Sequence, residues 1–175
     1  MLSIPLHPAL VHLPLGLAFV MPLLALALAF RLWTGRSARG GWTLAVALQA
    51  LLLAGGLAAM KSGQAEEERV EKIVAKAAIH QHEEYAEGFL WAAGFALIAI
   101  VAVRALHEGR AARALSALAV VGALLVAGLA LQVGHAGGQL VYLHGAAAAY
   151  TGVAGRTAPA AGITEQAGEH ERDEH

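Results

Sequence analysis

The sequence predicts an all-α membrane protein, a bundle of four transmembrane helices. Three observations carry that prediction. Hydrophobic residues make up 58% of the 175-residue chain and charged residues only 14%, against about 25% charged in ordinary soluble domains. The mean hydropathy is +0.58. The charged residues also fall in blocks, and the gaps between the blocks are long enough for helices to cross a bilayer.

The first gap is the uncharged run 9–30. Its 22 residues make about 33 Å of helix, enough for a hydrocarbon core of about 30 Å. Pro8 falls in the first turn, where a helix tolerates it, whereas Pro14 and Pro22 are expected to kink the span. Ala25-Leu26-Ala27 has the form of a signal cleavage site, but no basic region precedes it, so the span is read as retained. The second span is 42–60, with Gln49 its most polar member, and the third is 88–103, short but preceded by helix-prone sequence. The fourth is 114–133. Gly134, Gly137 and Gly138 are expected to interrupt it, leaving 139–155 at the membrane surface or in a fifth span. Small residues recur every four positions at Ala50, Ala54 and Ala58, and again at Ala119, Ala123 and Ala127, as suits close helix packing.

Between spans two and three, Val70, Ile73, Val74 and Ala77 follow the i, i+3, i+4, i+7 pattern. This predicts an extra amphipathic helix over 64–87. Extending its apolar stripe leads to His80, Glu84 and Trp91, and points His82 elsewhere. The membrane domain is thus taken as 1–155. Residues 156–175, small and then acidic, read as a disordered tail.

Arginine distribution sets the expected orientation. Arg31, Arg36 and Arg39 stand in one loop, and Arg104, Arg110 and Arg113 in another with the single acid Glu108. The 61–87 connection instead carries seven Glu. By the positive-inside rule both termini face outward across a bacterial cytoplasmic membrane. The net charge of −1 gives no basic excess for nucleic acid, and the absence of Cys excludes disulfides, thiolate metal sites and iron–sulfur ligation. Hydrolase motifs are lacking, so an electron-transfer component is expected rather than an enzyme in its own right.

Of nine histidines only His107 falls on the inner side of this map. The remainder gather at the outer edge, from the starts of spans one and three and the end of span four. Ionisable groups at membrane depth are costly and mark function. His12 and His135, with His80 as a third candidate, are expected to hold a b-type haem in an apolar pocket, and Gly137 and Gly138 to let the backbone approach it. Alternatively His80, His82 and Glu84 or Glu83, with His7 and His144 nearby, hold zinc or copper. Met60 is the one thioether near this edge, and a quinone pocket with a histidine proton partner is a third option. A ligand-free accessory subunit needs no such site. The partners implied are the lipid bilayer and a redox protein or second copy of the chain.

Two motifs add to this reading: His7-Pro8-Ala9-Leu10-Val11-His12-Leu13-Pro14 and Gly134-His135-Ala136-Gly137-Gly138-Gln139-Leu140-Val141-Tyr142. They resemble the opening His-Pro…Val-His-Phe-Pro and closing Gly-His-x-Gly-Gly-x-Leu-Val-Tyr segments of a bacterial family of four-helix membrane proteins, a domain of unknown function. Leu13 stands where the family usually has Phe. The resemblance covers about residues 7–154. It implies four spans, with His7, His12, His135, Gly137 and Gly138 as signature positions. It also implies redox association, since such domains are similar to haem-bearing membrane cytochromes.

Overall fold

The computed structural model describes residues 6–106 and 108–151. Its helices are α1 (His7–Leu10), α2 (His12–Trp33), α3 (Arg39–Val70), α4 (Lys76–Leu106), α5 (Gly109–Tyr142) and α6 (Ala148–Thr151), with no strand among the described residues. The tail 156–175 lies outside them.

Helices α1 and α2 form one span broken at Val11. Pro14 has no N–H to offer the Leu10 carbonyl, so one rung of the helical ladder is missing. Val11 itself keeps helical dihedrals, and the Leu15 N–H resumes the ladder on its carbonyl at 3.1 Å. Pro22 is buried within α2 without ending it. At the far end Gly35, at φ +73°, closes a Schellman cap: the Arg36 N–H reaches the Arg31 carbonyl at 2.8 Å and the Gly35 N–H reaches Leu32 at 3.3 Å.

The four long helices close a ring. α2 packs on α3 and α5, and α4 packs on α3 and α5. Small side chains let the backbones approach: Ala18, Ala25, Ala45, Ala93, Ala119 and Ala123 are fully buried, around the larger Met21, Trp42, Leu52 and Ile100. The outward faces carry Leu23, Phe30, Phe95, Ile98 and Leu131, each more than 60% exposed. Such an apolar exterior is stable only in lipid, and four spans are long and apolar enough to cross a membrane.

Three details depart from the sequence reading. The segment 64–87 is not a separate amphipathic helix. It breaks at 71–75, and its halves extend α3 and α4 beyond the apolar zone. Val74 turns into a small cluster with Ile79 and Ala146, so the apolar residues of the supposed stripe build the turn instead. The Lys76 ammonium and Glu71 carboxylate, 2.9 Å apart, tie the turn across. Second, Gly134, Gly137 and Gly138 do not interrupt the last span. α5 runs through them to Tyr142, and no fifth span follows among the described residues. Helical glycine costs about 1 kcal/mol, less than leaving backbone groups unpaired at a membrane boundary. Third, Ala50, Ala54 and Ala58 face outward. α3 buries Ala45, Gln49, Leu52, Gly56 and Ala59 instead, while Ala119 and Ala123 pack as expected.

Candidate functional site

Helices α1 to α5 line a half-open cavity of about 50 Å³ toward the Glu-rich end of the bundle. His7, His82 and Met60 line it, with Pro14, Phe89 and Leu90 among its apolar walls. The two imidazoles come from different spans. Their centroids are 6.1 Å apart and their planes cross at 88°.

The His7 ring is held by backbone. His7 Nδ1 lies 2.8 Å from the Ala59 carbonyl. A carbonyl only accepts, so Nδ1 carries the proton and Nε2 keeps its lone pair. Ser62 donates its hydroxyl to the same carbonyl at 2.7 Å and sits 3.3 Å from His7 Nδ1. His82 is mostly buried. Its Nδ1 is buried with no hydrogen-bond partner. A buried polar nitrogen left unpaired costs about 1–3 kcal/mol, so it asks for an explanation.

Two glycines admit the rings. A Cβ on Gly63 would stand 3.2 Å from His7 Nδ1, and a Cβ on Gly137 would stand 3.2 Å from His82 Cε1. Gly137 thus bears on a side chain's close approach, rather than on a backbone turn. Gly138 faces open space.

A carboxylate clamp fixes the N-terminal segment. Glu66 accepts the Leu6 N–H at 2.9 Å and the Tyr150 hydroxyl at 2.7 Å. It thereby ties α6 and the residue before His7 to α3. Arg69 covers the Tyr150 ring at 5.5 Å. Burial, reinforced by the Glu66 carboxylate, pushes the Tyr150 phenol up to about 12. Sequence reasoning missed this clamp, because Glu66 and Tyr150 are 84 positions apart.

The other candidate residues lie elsewhere. His80 and Glu84 are exposed, 3.8 Å apart, and point away from the bundle, as does Trp91. This reverses the expected facing of His80 and His82. The turn at 71–75 resets the helical phase, and the inward stripe of α4 is Ile79, His82, Ala86, Phe89 and Ala93. His12 and His135 are also exposed, and neither lines the cavity. They do share a level. Trp33 donates its indole N–H to Ser116 Oγ at 3.1 Å, which aligns α2 with the antiparallel α5. His12 lies 21 residues before Trp33 and His135 lies 19 residues after Ser116, about 32 and 29 Å along the axes. The amide nitrogen of Gln139 is 3.1 Å from His135 Nε2 and donates to it. His144 is exposed. His107, His170 and His175 lie outside the described residues. Among the described residues no three of His, Asp and Glu gather into a cluster that could hold a metal ion. The third potential donor at the cavity is the thioether of Met60.

Fold and site together define a small helical membrane protein with a histidine pair recessed at one end. The chain belongs to the family described as Predicted membrane protein (DUF2231), whose sequence model matches residues 3–150 and so takes in both end motifs. No curated protein and no solved structure matches it.

Proposed function

We propose that this protein binds a single metal ion, copper in its cuprous state, between His7 and His82 at the outer face of a bacterial inner membrane. The observation that carries this reading is the unpartnered, buried Nδ1 of His82, on a ring that shares its cavity with the ring of His7. Metal-binding histidines commonly have the other ring nitrogen engaged by a carbonyl or carboxylate. Two imidazoles sharing an ion about 2 Å from a nitrogen of each have centroids roughly 5–6.5 Å apart, and here the separation is 6.1 Å. The donor set favours copper. Zinc sites draw on Cys, Asp or Glu as well as His, whereas a thioether beside imidazoles suits cuprous copper. A cavity of about 50 Å³ takes an ion with a water or two rather than a macrocycle.

The test is copper quantification on the full chain, purified in detergent and loaded with Cu(I). One copper per chain is expected, lost in His82→Ala and retained in His80→Ala. No copper in the native chain, or full retention in the His7→Ala/His82→Ala double variant, would overturn the reading.

A second reading keeps a b-type haem, on His12 and His135. Their common level on contacting helices favours it, and both side chains are exposed, so the haem would sit against lipid outside the bundle. A Soret band that His12→Ala and His135→Ala remove, and His82→Ala leaves, would establish it in place of copper.

A further inference from the structure

At the opposite end of the bundle lies a polar recess of about 390 Å³. Arg36, Arg39 and Arg113 line it, with Glu108 its single acid. No ion pair joins these arginine side chains to a carboxylate among the described residues.

The placement of Arg39 is electrostatically unfavourable as it stands. Arg39 is the first residue of α3, and Arg113 lies in the second turn of α5, after Arg110 in the first. Helix N-termini carry partial positive charge and favour acids. Neither helix has an acid in its first turn, and neither N-cap residue, Ala38 or Glu108, supplies a side-chain cap. A bias of basic residues toward one side of the membrane requires arginines in these loops. It does not require three of them to converge on one recess between two uncapped helix ends.

We infer that this recess binds a phosphate group, that of an anionic phospholipid headgroup. Guanidinium forks match phosphate oxygens bidentately, and first-turn amides add donors to an anion. Basic pockets between membrane helices take lipid headgroups in this way. The recess also sits at the bilayer boundary, since the indole of Trp33, 58% exposed, stands at that end of α2. The inference is independent of the copper reading.

A free phosphate shares this chemistry, so the experiment has two arms. The full chain, in phosphatidylcholine nanodiscs, is titrated with phosphatidylglycerol in one arm and inorganic phosphate in the other. Thermal unfolding and lipid retention by native mass spectrometry are the readouts. Phosphatidylglycerol is expected to raise the unfolding midpoint and remain bound. Arg36→Gln/Arg113→Gln should weaken this at least tenfold, Arg36→Lys should lose part of it, and Lys61→Gln, at the other end, should change nothing. Equal protection by millimolar inorganic phosphate, with the same dependence on the variants, would overturn the lipid source in favour of a free phosphate. Protection by neither, or protection that survives the double variant, would overturn the site. The double variant's own unfolding transition, without added ligand, separates lost binding from lost folding.

Discussion

The two ends of the bundle solve opposite problems with the same four helices. At the arginine end the helices stop close to the apolar zone, joined by short turns, and their charges stay in water. At the Glu-rich end α3 and α4 continue past that zone for several turns, α1 packs on α3 as the continuation of α2, and Glu66 ties α6 to α3. That extra length creates a second small core around Val74, Ile79 and Ala146. A polar group can be buried there without lying at mid-membrane. The comparison teaches that the histidine site is built at a junction: His7 and His82 come from helix beyond the apolar spans, while Pro14, Met60, Phe89 and Leu90 within the spans supply its walls.

Breaking the site directly has the largest expected effect. His7→Ala/His82→Ala should abolish copper binding, while His12→Ala/His135→Ala should leave the stoichiometry unchanged. Metal analysis of the two double variants decides which pair matters. Next comes Gly137→Val. Its branched side chain needs space that His82 occupies, so copper affinity should fall tenfold or more, whereas Gly138→Val, facing open space, should leave it within a factor of two or three.

The clamp gives a smaller effect. Glu66→Gln removes a charged acceptor from two donors and should cost about 1–2 kcal/mol in stability. It should also lower the Tyr150 phenol from about 12 toward its usual 10, visible in the tyrosinate absorbance on alkaline titration. Because the folded-state value is raised, the Tyr150 contribution is complete below about pH 10 and is lost as pH rises through about 12. Smallest of all is the change at mid-membrane. Gln49 is fully buried, donates to the Ala93 carbonyl at 3.0 Å, and leaves its own Oε1 unpaired. Gln49→Leu trades one hydrogen bond for relief of that oxygen, so stability should move by less than about 1 kcal/mol in either direction.

The spans were legible because hydropathy is a local property. Each of the four gaps between charged blocks falls inside one of the four helices long and apolar enough to cross a membrane. Helix ends were less legible. The glycines after 133 and the stripe at 70–77 carry signals that, in water, would mean a break and a surface helix. Beside a membrane the demand for paired backbone groups carries α5 through its glycines. A five-residue turn, with no Gly or Pro to announce it, divides the stripe.

The site was legible only as a gathering. Charge blocks and the positive-inside rule placed most of the histidines toward one end, and the two motifs marked His7, His12, His135 and Gly137. Which of them meet depends on helical phase, and phase is reset by each turn. One residue rotates a side chain by about 100°, so the turn at 71–75 was enough to exchange His80 for His82. The sequence by itself determined the class of the molecule, its four crossings and the opposite chemistries of its ends, since these follow from composition along the chain. The tertiary structure decided the pairing of His7 with His82, the fit of His82 against Gly137, and the hold of Glu66 on Leu6 and Tyr150. Each of those depends on rotation and contact between residues more than fifty positions apart, which no local pattern encodes.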